Sequence, residues 1–142
     1  MKRAILAFLV IVASVSAQAF SASAEQASPG EKITAYYFHG AFRCPTCFNM
    51  EKYSKEAIET NFKDALASGT LEFKVVNMED RGNEHFVNDY QLYTKSLILS
   101  LVKNGKEIKS KNLTKIWNYA WDKQKFIAYV TEEIKAFSEE AK

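Results

Sequence analysis

Glycine and proline are scarce in this 142-residue chain, at five and two. That excludes collagen-like and Pro/Gly-rich low-complexity classes. With two cysteines the chain is no disulfide-stapled scaffold. Charge of one sign is also missing. Lys2 and Arg3 account for the formal net charge of +2, so the chain is neutral from Glu25 onward. A basic nucleic-acid-binding surface is not expected from such a balance. What is abundant is aromatic: ten Phe and seven Tyr raise the aromatic share to 13%, enough for a real core and against disorder. The length fits one domain.

The first segment reads as an export signal. Lys2 and Arg3 form a basic start, Ala4 to Val15 is apolar apart from Ser14, and Ala22-Ser23-Ala24 fits a small-residue cleavage site. Ser14, Ser16 and Gln18 interrupt the run before it reaches the ~20 apolar residues of a membrane span. The expected layout is a signal peptide over 1–24, a flexible leader over 25–31, one domain over 32–138 and a tail over 139–142. The expected location is the bacterial periplasm or outside the cell, with no stable membrane insertion after cleavage.

Within the domain, Ile33 to Phe38 is β-branched and aromatic, a buried strand stopped by Gly40. Pro45 to Leu66 carries apolar residues at spacings of three and four, which predicts a helix stopped at Ser68-Gly69. Leu71 to Val76 predicts a second strand. Glu84 to about Leu92 predicts a short helix capped by Asn83 or Asp80. Ser96 to Val102 predicts a third strand, Asn104-Gly105 a hairpin, and Glu107 to Lys109 a short edge strand. Leu113 to Phe137 predicts a helix broken near Asp122. The two βα pairs imply parallel strands joined by a crossover, and the hairpin adds an antiparallel edge. The fold class is therefore α/β: a mixed four-stranded sheet in the order β-α-β-α-β-β-α, with helices on both faces.

The only two cysteines stand in Cys44-Pro45-Thr46-Cys47, after a buried strand and at a helix start. Unpaired N–H groups and the positive end of the helix dipole favour a thiolate there. Arg43 adds an adjacent cation, and Cys47 is one turn along, within reach of a mixed disulfide on Cys44. Pro45 suits the first helical turn, where a missing N–H is harmless. Three blander readings compete. A structural disulfide closing so small a ring gives only ~2 kcal/mol. A closed zinc site needs a second cysteine pair, which is absent. The third is a thiolate site for a soft metal or metalloid such as copper or arsenite, with His39 as a further ligand. His39 lies five residues before Cys44; it either assists proton transfer or bonds the backbone at the strand end. His85 reads as a surface residue. Asn112-Leu113-Thr114 matches a glycosylation acceptor but reads better as a helix cap, and Trp117 and Trp121 read as core or rim packing on one helix face.

The order of elements with C-x-x-C at the first βα turn resembles the thioredoxin fold over roughly Lys32 to Phe137, without the extra N-terminal strand and helix. Leu97 to Lys106 is similar to the thioredoxin strand and hairpin that follow the active-site loop. Four stretches resemble a small family of exported bacterial thioredoxin-like proteins: Tyr36-Tyr37-Phe38-His39-Gly40, Arg43 to Cys47, Asn49-Met50-Glu51 and Tyr93-Thr94-Lys95-Ser96. That family carries the label "nitrophenyl compound nitroreductase subunit ArsF". The resemblance implies that Cys44 and Cys47 carry the activity.

Two positions depart from the thioredoxin pattern. Arg43 stands where a tryptophan precedes the first cysteine, and Pro45-Thr46 replaces Gly-Pro. The cis-proline that faces the disulfide is missing, with Lys95, Ser96 and Leu97 near its place in the groove. This favours a dedicated partner or metal binding over general reductase activity. The expected activity is thiol:disulfide exchange, with Cys44 attacking, Cys47 resolving, and Arg43, His39, Pro45 and Thr46 tuning the thiolate. No cofactor and no resident metal are called for. The expected partners are a protein or small-molecule thiol or disulfide, and a thiol protein that supplies or removes electrons.

Overall fold

The computed structural model describes residues 30–140. The signal-peptide expectation and the leader up to residue 29 lie outside the described residues, as does the end of the tail. The elements in chain order are β1 (Glu31–His39), α1 (Pro45–Asn61), α2 (Lys63–Ala67), β2 (Leu71–Asn77), α3 (His85–Asp89), β3 (Ser96–Lys103), β4 (Lys106–Asn112), α4 (Ile116–Tyr119) and α5 (Lys123–Glu139). One four-stranded sheet has the order β2-β1-β3-β4. β1 runs parallel to β2 and antiparallel to β3, and β3 is antiparallel to β4. This is the mixed α/β sheet that the sequence predicts.

Alternation along β1 builds two cores. Ile33, Ala35 and Tyr37 face one way, into the larger core with Met50, Ala57 and Ile58 of α1 and Phe126, Val130, Ile134 and Phe137 of α5. Phe38, and the half-buried Tyr36, face the other way, toward Leu92, Ile98, Phe86 and Tyr90. The first face is covered by two long helices. The second is covered by the short α3 and its flanking turns.

Several boundaries differ from the periodicity. The helix from Pro45 does not run to Leu66: it ends at Asn61, and α2 starts beyond Phe62, whose backbone is non-helical at φ −130°, ψ 36°. The Asn61 side chain turns back to donate to Ala57 O at 2.9 Å and across to Thr131 Oγ1 of α5 at 3.2 Å, which anchors the last residue of α1. The short helix is only His85–Asp89 and has no side-chain cap from Asn83 or Asp80. The edge strand is longer than Glu107 to Lys109, with a register shift opposite Leu101/Val102. Asn112 ends β4 and caps no helix; Lys115 stands at the cap of α4. The break near Asp122 is real: Asp122 caps α5 by accepting from Lys125 N at 3.1 Å. Among the described residues no helix is long and apolar enough to cross a membrane.

Candidate functional site

β1 delivers the chain to the thiols. His39 closes the strand, Gly40 is buried, and four residues later Cys44 caps α1 with an extended backbone. A Cβ on Gly40 would meet the carboxylate end of Glu79, a flexible side chain that would have to move aside. Pro45 takes the first helical position. Cys44 and Cys47 then hold each other in a reciprocal cap. The Cys44 N–H donates to Cys47 Sγ at 3.2 Å, and the Cys47 N–H reaches back to the Cys44 sulfur. The thiols are unbridged, Cys44 half-buried and Cys47 fully buried.

Their acidities diverge for stated reasons. The Cys47 thiol and backbone N–H bond to the Cys44 sulfur and hold its pKa below the usual thiol value; the Lys95 ammonium adds to this. Burial pushes Cys47 up, and the hydrogen bond it gives to Cys44 pushes it further. The pair therefore presents one ionisable, accessible sulfur and one protonated, sheltered sulfur.

Tyr37 braces this turn from beneath. Its hydroxyl donates to Cys47 O at 2.8 Å with both residues fully buried. Burial raises its pKa, so the hydroxyl keeps its proton. The sequence places Tyr37 in the strand without marking a role for it; its inward register position is the only signal of one.

The other expected residues are placed as follows. The Arg43 guanidinium is ion-paired with Glu51 and sits over the Phe48 ring, 4.5 Å from its centroid. The Lys95 ammonium, on the loop before β3, lowers the pKa of both thiols by its charge, a smaller effect than that of the hydrogen bonds between them. The His39 ring bonds the backbone, Nδ1 to Gly40 O at 2.9 Å. Thr46 is half-buried and Pro45 exposed in the first turn. Ser96 is buried and donates to Thr94 O, while Leu97 pairs with Tyr37 across the sheet. All described peptide bonds are trans, including the one at Lys95-Ser96. Among the described residues no three His, Cys, Asp or Glu side chains converge, so no third residue of these types joins the two sulfurs. His85 is exposed and bonds Gly82 O.

Trp117 and Trp121 are not core residues. Both are exposed, and Trp117 Nε1 donates to Lys95 O at 3.1 Å, pinning the loop beside the thiols. Phe42, Phe48 and Tyr93 are exposed in the same segments. Asn49 Nδ2 reaches Ala120 O at 3.4 Å, which ties the residue before Trp121 to the first turns of α1. Every exposed aromatic among the described residues thus belongs to a segment that meets the others at the thiol end. Their positions outside the apolar stripes of the helices are the sequence signal for this rim.

No family model matches the chain, and comparison with curated proteins gives no match. The solved structures similar to it include three at low identity. Thioredoxin O2 from Arabidopsis thaliana in its oxidized state is 10% identical with a TM-score of 0.39, over 68% of this chain and 76% of its own. Fasciola hepatica thioredoxin is 20% identical with a TM-score of 0.38, over 63% and 78%. A malarial protein is 14% identical with a TM-score of 0.38, over 63% and 98%. The strand order and the dithiol at the β1–α1 turn give this chain a thioredoxin-like arrangement.

Proposed function

We propose that the chain is a thiol:disulfide oxidoreductase that works outside the cytoplasm on a thiol or disulfide partner, with Cys44 as the attacking sulfur and Cys47 as the resolving one. The observation that carries this reading is the opposed acidity of two sulfurs held in one helical turn. The thiolate is the nucleophile, and it forms on the exposed side. In the reducing direction the Cys44 thiolate attacks a partner disulfide, forming a mixed disulfide and releasing one partner thiolate. Cys47 then gives up its proton to solvent or the leaving sulfur and attacks Cys44 Sγ. The second partner thiolate leaves, and two electrons have passed from the dithiol to the partner. The oxidising direction runs the same steps backward. Membership of the exported ArsF-labelled family belongs to this reading and rests on the four stretches that resemble it; export rests on the signal-like first segment.

A disulfide that opens to a stabilised thiolate has a higher potential than structural disulfides, which lie below about −300 mV. Equilibration in glutathione buffers of graded ratio, read by mass shift, is expected to give a mixture of dithiol and disulfide chains. A pair that stays fully oxidised at every ratio identifies a structural disulfide and ends this reading.

A further inference from the structure

β2 is an edge strand whose outer side has no strand partner among the described residues. Which of its backbone groups point outward follows from two hydrogen bonds at its ends. Ile33 N–H donates to Thr70 O at 2.8 Å, and Met78 N–H donates to His39 O at 2.8 Å. In a parallel ladder these bonds commit the even-numbered residues of β2 to β1. The N–H and C=O groups of Leu71, Phe73 and Val75 therefore face away from the sheet. An open edge of this kind is a template for another strand.

The side chains along this edge are self-complementary. Leu71, Phe73 and Val75 lie on the face that carries α1, and Val75 is 42% exposed. Glu72 and Lys74 lie on the opposite face, with Glu72 Oε2 2.5 Å from Lys32 Nζ of β1 and 3.3 Å from Lys74 Nζ. A groove of about 590 Å³ runs beside the strand, with Leu66 and Phe73 in its lining and Lys55 and Glu59 at its helical side.

We propose that this edge pairs with the same edge of a second copy of the chain, antiparallel about a two-fold axis through Phe73. Three registers near the strand centre use the outward groups. Centring on Glu72 sets Glu72 against Glu72, and centring on Lys74 sets Lys74 against Lys74; like charges directly opposite are unfavourable. Centring on Phe73 sets Glu72 against Lys74 twice, sets Leu71 against Val75 twice, and makes Phe73 a hydrogen-bonded pair. Charge and pleat select the same register. The contact is isologous, as a closed dimer requires. The sheet becomes eight-stranded, and β2 of each copy ends at Asn77, beside its own His39. The two dithiols then lie at opposite ends of the sheet, both open to partners.

The test is sedimentation of the mature chain over a concentration series, with amide hydrogen exchange read at Leu71, Phe73 and Val75. The expected result is a monomer–dimer equilibrium in which protection of those three amides rises with concentration. Lys74→Glu is expected to weaken the dimer at least tenfold, and the swap Glu72→Lys with Lys74→Glu, made together with Lys32→Glu so that position 72 keeps an opposite charge beside it on β1, to restore it, because the crossed pairs are re-formed with signs exchanged. Thiol titration of each variant checks that the fold persists. A monomer at all concentrations overturns the proposal, whether those amides exchange freely or are protected by the chain's own first residues. A dimer that the swap does not restore overturns the register and with it the assigned surface.

Discussion

The two ends of one helical turn carry the same functional group in opposite settings. Cys44 stands at the cap of α1, half-exposed, with hydrogen bonds aimed at its sulfur. Cys47, three residues on, is wholly buried against the larger core, above Tyr37. Local sequence makes the two alike, since both belong to one short motif. The difference comes from the helix rotating the second sulfur inward and from β1 placing a tyrosine under it. Reactivity is thus divided by packing: the solvent side supplies the nucleophile, and the core side keeps a protonated thiol in reserve.

The largest expected break in this comparison is removal of either sulfur. Cys44→Ser is expected to abolish both turnover and adduct formation. Cys47→Ser is expected to abolish turnover while leaving a stable mixed disulfide on Cys44, because attack survives and resolution does not. Mass spectrometry after incubation with a disulfide substrate separates the two. A trapped adduct on Cys47 in the Cys44→Ser chain reverses the assignment.

A smaller break acts from below. Tyr37→Phe removes the hydroxyl that holds Cys47 O and is expected to cost about 1 kcal/mol, the usual net worth of a buried hydrogen bond. Urea unfolding measures the loss. Cys44 alkylation is expected to keep its rate at saturating thiolate, since the tyrosine touches the resolving residue, whereas release of a mixed disulfide slows. Slowed alkylation with unchanged release would assign the brace to the wrong cysteine.

How much of this arrangement the sequence discloses varies with the range of the interaction. β1, the start of α1 and the Asn104-Gly105 hairpin are legible because alternation, Pro45 and turn chemistry act within a few residues. The end of α1 is not, because the Asn61 side chain bonds Thr131 on α5, seventy positions away. Tyr37 is legible as inward-facing but its hydroxyl partner is not. The cation near Cys44 is read as Arg43 from adjacency along the chain. The fold brings Lys95 across from the loop before β3, and Glu51, two turns along α1, takes Arg43. The tryptophans are legible as rim residues but not as a pair on one helix face, because the turn at Ala120 puts Trp121 beyond the end of α4.

Lys95 gives the third test. Lys95→Met keeps most of the stem and removes the charge, so Cys44 alkylation near neutral pH is expected to slow by roughly twofold to tenfold. The pH profile shows the sign. A thiol whose folded-state pKa is lowered stabilises the reduced chain above the ordinary thiol range, and this is lost as pH falls through the lowered value. Removing Lys95 moves that loss to higher pH. An alkylation profile that does not move assigns the acidity of Cys44 to the reciprocal cap alone.

The smallest effect is expected at Arg43, although it is the residue next to Cys44. A charge held against an opposite charge exerts a weaker field at distance than a free one, and Arg43 is paired with Glu51 while its face rests on Phe48. Arg43→Ala is therefore expected to slow alkylation less than Lys95→Met does. The pairing itself supplies the sharper experiment. Glu51→Gln leaves the guanidinium in place and removes its counter-charge, so Cys44 alkylation at neutral pH is expected to rise, and adding Arg43→Ala to that background is expected to cancel the rise. The order of the four rates separates adjacency from pairing as the rule that governs the thiolate. If Arg43→Ala in the native background slows alkylation more than Lys95→Met, the neighbouring cation acts through its ion pair and the comparison of the two lysine- and arginine-bearing segments must be redrawn.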